Sequence, residues 1–387
     1  MTNPIGPLLP ADEQLGHQIA DTFATVGTSD PSWTEKICAM AMARDGSVQV
    51  GFGLGKYTNR NVMDGYAALS RGAEQVTVRA SRRLAPEPDV IAVGPIRYEV
   101  LEPLRRVRFA LDDNECQPLA FEWVFEGAVP PAIEERSFTR ATYRTSTDLV
   151  RYHQTGVAAS GWIAIDGERI EIDPDNWVST RDHSWGVRYD VGAPARDIEG
   201  ATRVIPRGVG FMMIWSPTLL ERSDGSHYAL HLHFQWYTAP GFEQMEVIAG
   251  VEHPDGRREP IVAIHPDLRF DPENRRLQGG TLHAQTADGT ERPITIEVLS
   301  DTGVHLGAGL YFGFDGHHHG EFRGALHIDG ERIADCREPA TARRLHQLRD
   351  TVIRITDPVG GGTGWGNCQP MAVGPWPDLG LADENWV

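Results

Sequence analysis

The stretch "RDHSWGVR", Arg181 to Arg188, brings two guanidinium groups, a carboxylate, an imidazole, a hydroxyl and an indole into one short run. Such a set suits proton transfer beside a cation-stabilising ring, because an imidazole changes charge near neutral pH and an indole face attracts positive charge. If the stretch is extended, alternation puts Arg181, His183, Trp185, Val187 and Tyr189 on one face and Asp182, Ser184, Gly186, Arg188 and Asp190 on the other. His183 and Trp185 then stand about 7 Å apart, a spacing fit for acid–base work on a substrate that passes through a carbocation-like state. Arg181, His183 and Arg188 favour the ionised form of Asp182, so His183 is the expected acid–base group and Asp182 orients it or anchors a bend. Asp182 and Arg188 lie about 20 Å apart on an ideal strand and pair only if the chain bends, with a bulge at Gly186 as the natural place. The structural alternative is a polar set that satisfies buried backbone groups, with Trp185 as a core plug.

Other candidates carry weaker chemistry. "HLHFQWY" puts His231, His233, Gln235 and Tyr237 on one strand face. His-x-His is metal-ligand spacing, but Glu243 is too far along to complete a site, so His231 and His233 are expected to line a polar pocket wall. "DGHHHGE", Asp315 to Glu321, follows a turn signal and reads as surface histidine. "GFGLGKYT" and "GGGTGWGN" miss the spacing of phosphate loops, the latter reading as a close backbone approach with Trp365 packed inside the barrel, and no GxSxG elbow occurs. The expectation is no cofactor and no metal.

The elements that position these residues are short. Runs such as "SVQVGFGL", "EQVTVRAS", "GWIAIDG" and "HYALHLHFQWY" alternate between turn signals, and Asp-Gly recurs along the chain, from Asp45-Gly46 to Asp329-Gly330, a dipeptide suited to tight hairpins. "TARRLHQLRDTVIRI", Thr341 to Ile355, fits a late helix or an arginine-rich strand equally. Leu15, Ile19 and Phe23, opened by Asp12 and Glu13, form the stripe of one short amphipathic helix that would cap a barrel end. "GWIAIDGERI" and "GALHIDGERI" repeat one another and suggest matching hairpins in two related barrels. With 387 residues, two domains are expected: an all-β fold of two antiparallel barrels in tandem after a short N-terminal helix, divided at about 1–198 and 199–387, in the loop-rich Val191–Gly208.

The formal charge of −18 argues against nucleic acid, which demands clustered positive charge. Lysine occurs only at Lys36 and Lys56, which makes a Schiff-base mechanism improbable, and the scattered Cys38, Cys116, Cys336 and Cys368 read as reduced thiols. With no basic leader and no long apolar run, a soluble cytoplasmic protein without a transmembrane segment is expected, with a homodimer compatible.

"DHSWGVR", preceded by "YHQTGVAASGWIAIDG" and far upstream by "SWTEKI" and "KYTNRNVMDGY", resembles the hydroxyneurosporene synthase-like family, the carotenoid 1,2-hydratases and their relatives. The resemblance is most specific over Tyr152 to Arg188. It implies lipocalin-like barrels of the calycin type, with His183 and Trp185 lining the ligand site. Where the hydratases are thought to carry a carboxylate and a tyrosine, "GVGFMMIWSP" has no acid, so the resemblance implies a pocket and not a substrate. The resulting expectation is a hydratase or dehydratase (a hydro-lyase), cyclase or isomerase acting on a hydrophobic, terpenoid-like or polycyclic small molecule. Its catalytic residues would be His183, Asp182 and Trp185, and Arg188, Tyr143, Tyr189, Trp215, His231 and His233 would hold the substrate. A carrier that binds such a ligand without changing it is the alternative, and a metal-dependent enzyme using His231 and His233 is a third reading.

Overall fold

Period-two alternation becomes strand after strand in the computed structural model, which describes residues 10–382 apart from 14, 18–19, 142–143 and 195–207. The protein is nearly all β, with two barrel-like sheets in tandem. The first sheet runs in spatial order Leu326–Ile333, Glu74–Arg83, Val62–Arg71, Val48–Tyr57, Trp33–Ala43, Trp177–Val187, Arg144–Ile165, Leu119–Gly127, Arg106–Leu111, Ile96–Glu102 and Ala92–Val93. It curls until Ala92–Val93 meets Val62–Arg71 and Glu74–Arg83. In the second sheet Gly210–Arg222 pairs with both Gly362–Val373 and His227–Ala239, which closes the barrel.

Each barrel is filled by its own apolar residues. Phe52, Phe109, Phe121, Trp123 and Phe125 pack inside the first, and Leu230, Leu232, Phe234, Ile264, Leu282 and Ile294 inside the second. A third apolar cluster, with Cys38, Met40, Met42, Val178, Phe211, Met371 and Val373, lies between them. Three neighbouring strands, Trp33–Ala43, Trp177–Val187 and Arg144–Ile165, therefore form a wall with the first lumen on one side and the seam between barrels on the other. Such a wall buries both faces, which explains why Trp33–Ala43 is apolar almost throughout.

Several expectations meet a different outcome. Six Asp-Gly pairs sit at turns with a left-handed glycine, but Asp64-Gly65 and Asp329-Gly330 lie inside strands. The two copies of Ile-Asp-Gly-Glu-Arg-Ile are thus not matching hairpins: the first turns at Asp166-Gly167, while the second adds as an edge strand to Glu74–Arg83, held by Arg79 to Asp329 at 2.6 Å. The second copy belongs to the first sheet although it comes from the C-terminal half. The N-terminal helix is one 3₁₀ turn, Pro10–Glu13; Leu15 and Phe23 are exposed, so no stripe caps a barrel, and Ile19 is outside the described residues, as is most of the Val191–Gly208 boundary. Thr341 to Ile355 is both helix and strand: Pro339–Arg344 is helical, capped by the Glu338 side chain on the Thr341 amide, and Arg349–Asp357 is a strand. Trp365 packs in the seam beneath Arg44, not inside a barrel. All four cysteines are free thiols.

Candidate functional site

The Trp177–Val187 strand pairs Tyr152 opposite His183 and His153 opposite Asp182, so successive residues on both strands point alternately to lumen and seam. Arg181, His183 and Trp185 share the lumen face and Asp182 and Ser184 the seam face, as alternation requires. Gly186 makes no bulge: pairing runs through it without a shift on both sides. Its φ of +136 and the Asp148 carbonyl, 2.1 Å from where a Cβ would stand, are what demand glycine there. Asp182 and Arg188 accordingly do not pair; Arg188 faces Asp190 at 3.9 Å instead.

At the mouth of the first barrel a chain of polar groups converges on His183. Its Nε2 lies 2.8 Å from Glu35 Oε1, and its Nδ1 lies 3.2 Å from the Tyr152 hydroxyl. Burial pushes the Glu35 carboxyl up, but the hydrogen bond and charge of His183 outweigh that and bring it below its ordinary value. An ionised Glu35 only accepts, so Nε2–H donates to it; in the neutral imidazole Nδ1 then accepts the Tyr152 O–H. Arg181 Nη1 donates to the same phenol oxygen at 3.4 Å, and Arg181 is anchored by two hydrogen bonds to Gln154 Oε1. Trp185 lies edge-on to His183 and Tyr152 at 5.5 and 6.4 Å between ring centres.

Below this mouth aromatic side chains pack one on another in the barrel. The Arg181 guanidinium lies over Phe125, and Trp123 stacks on Phe109, which packs on Phe52. Ile133, directly opposite Tyr152 and 65% exposed, gives this mouth an apolar rim.

The seam face holds a different set. Asp182, Thr180, Trp215, Asp350, Asn367 and Gln369 line a cavity of about 10 Å³, roughly the room of one water. Burial raises both carboxyls, Asp350 to about 7. Beside it lie Glu134, His153, His231, His233 and Glu252, all buried. His153 bridges the two glutamates, at 3.1 Å to Glu134 and 2.8 Å to Glu252, and stacks on His231 at 3.7 Å. Burial alone would push His153 down, but Glu252 and Glu134 raise it to about 9, whereas burial and its histidine neighbour push His231 well down and burial takes His233 to about 4. A third polar group joins Lys36 to His319 at 3.0 Å; burial lowers Lys36 to about 8.

The anticipated site residues thus divide. His183 and Trp185 are together at the mouth, while Asp182, Trp215, His231 and His233 are behind the wall. Tyr189 stacks on Phe312, and Tyr143 is outside the described residues. His319 is buried, not a surface histidine, because it packs against Lys36 and Tyr311. Sequence reasoning missed Glu35 and Tyr152 as partners of His183, and the buried Glu134, His153 and Glu252 that lie beside His231; "YHQTG" was the one usable signal, since its tyrosine and histidine fall on opposite faces.

No helix among the described residues is long and apolar enough to cross a membrane. Among curated proteins none matches the chain. Similar solved structures include an AttH-type protein from Nitrosomonas europaea, at 13% identity over 88% of this chain and 92% of that one with a TM-score of 0.45. They include kievitone hydratase from Nectria haematococca, at 9% identity over 90% and 92% with a TM-score of 0.42. CghA with Sch210972 is similar at 11% identity over 92% and 90%, with a TM-score of 0.45. By its match over residues 8–382, the chain belongs to the family of unknown function DUF8625.

Proposed function

We propose that this protein is an acid–base enzyme of the hydro-lyase or isomerase/cyclase kind, acting on an apolar, terpenoid-like or polycyclic small molecule at the mouth of the first barrel. The observation that carries the reading is the hydrogen-bonded chain Glu35–His183–Tyr152, with Arg181 on the same phenol oxygen. Tyr152 is the group that meets substrate. It gives its proton to a substrate double bond or, once His183 has taken that proton, acts as a phenolate base; Glu35 holds the imidazole and neutralises the imidazolium, and Arg181 stabilises the phenolate. Trp185 offers its ring to positive charge developing in the substrate. Asp182, on the other side of the wall, takes no proton from that substrate; it acts on the strand that carries His183.

The test is a screen of terpenoid and polycyclic compounds in D₂O, read by mass spectrometry for gain or loss of water or for solvent deuterium in the carbon skeleton, using wild type, Tyr152→Phe and His183→Ala. Turnover by wild type that both substitutions remove is the expected result. A compound that is bound and returned unchanged by all three would mean a carrier, and turnover indifferent to both substitutions would remove the mouth from the mechanism.

A further inference from the structure

In the seam, His231 has neither ring nitrogen in a hydrogen bond, although it is completely buried. The same is true of Nδ1 of His233 and of one Glu252 oxygen. Buried polar atoms are normally paired, so a group of such orphans facing one another calls for an explanation. His231 and His233 are two residues apart on one face of His227–Ala239, in the second barrel. Glu134 comes from the first sheet, where its amide donates to the Arg151 carbonyl. Its two oxygens face one histidine each: Oε1 lies 3.5 Å from His231 Nε2 and Oε2 lies 3.9 Å from His233 Nδ1.

We infer that Glu134, His231 and His233 form a binding site for one divalent transition-metal ion, of the zinc class, clamping the second barrel to the first. Two atoms each about 2.1 Å from a tetrahedral ion stand about 3.4 Å apart, so the observed separations need only small side-chain movements. The donor set of two imidazoles and one carboxylate suits zinc and its neighbours better than magnesium or calcium, which take oxygen ligands. The surroundings resemble the outer partners of a metal site: His153 Nδ1 and the Trp215 indole both bond Glu134 Oε1, at 3.1 Å each, and fix the carboxylate. A second triad, His153, His231 and Glu252, is also compact, but both nitrogens of His153 are already committed to the glutamates. Arg151, 3.6 Å from Glu134 Oε2, and His153, 3.1 Å from Oε1, are cationic neighbours of the carboxylate with which the ion competes.

The chelator-stripped full-length protein is titrated with Co²⁺ as the probe, followed by its visible absorption and confirmed by elemental analysis after loading with Zn²⁺. The expected result is one ion per chain with the intense absorption of a tetrahedral, nitrogen-containing site, and a higher melting temperature when loaded. His233→Phe and Glu134→Gln should each weaken binding by more than about a hundredfold, beyond what an outer partner carries. His317→Ala/His318→Ala, which removes imidazoles from the His-rich turn at residues 315–321, should leave it unchanged. The inference is overturned if stripped wild type takes up no ion, or if loss of the His317 and His318 imidazoles abolishes uptake. It is equally overturned if folded His233→Phe, judged by circular dichroism, binds as wild type does.

Discussion

On the lumen side of the Trp177–Val187 strand, His183 is partly exposed and its partner Glu35 is half open to water, whereas on the seam side Asp182 meets a cavity with little more room than one water. The same eight residues thus present one group of side chains open to water and one buried between two barrels. The difference teaches that a polar cluster is not one site because it is one stretch of sequence. In a strand that forms a wall, period two sorts chemistry from architecture residue by residue.

Substitutions separate the two faces. The largest expected effect is on the lumen face: Tyr152→Phe or His183→Ala should lower kcat by about 10²–10⁴-fold while leaving the unfolding midpoint in urea nearly unchanged. A comparable loss of stability would erase the contrast. On the seam face, Glu134→Ala leaves the bridging His153 and the Trp215 indole without their carboxylate and should destabilise by about 3–5 kcal/mol in denaturant titration. Gly186→Ala pushes a methyl against the Asp148 carbonyl in a left-handed backbone and should cost about 1–3 kcal/mol. Should that variant keep wild-type stability, the strand is not pinned as described.

The smallest effect is a pH slope. The folded Asp350 carboxyl, at about 7, lies above its ordinary value because of burial, so the native state binds the proton that the unfolded chain releases. Its contribution is therefore full below about pH 4 and is lost as pH rises through 7. Asp350→Asn should make the unfolding free energy less dependent on pH across that window than in wild type, and identical slopes would count against a raised Asp350.

Much of this fold was legible because it depends on neighbours in sequence. Period two and the Asp-Gly turns marked the strands, and alternation put His183 and Trp185 on one face. What escaped depends on distant pairing. Glu35 precedes His183 by 148 residues and Glu252 follows His153 by 99, and only the register of Trp33–Ala43 with Trp177–Val187 brings Glu35 to the mouth. The repeated Ile-Asp-Gly-Glu-Arg-Ile misled for a related reason: the local signal for a turn is the same in both copies, but an open sheet edge beside the second one outweighs it.

That edge strand bears on how the chain is made. Leu326–Ile333 emerges from the ribosome long after Glu74–Arg83, which it covers. Throughout translation of the second barrel, the nascent first sheet presents a naked hydrogen-bonding rim that other chains can join. A product stopped before residue 326 keeps that rim for its lifetime and should clump where the whole chain stays dispersed.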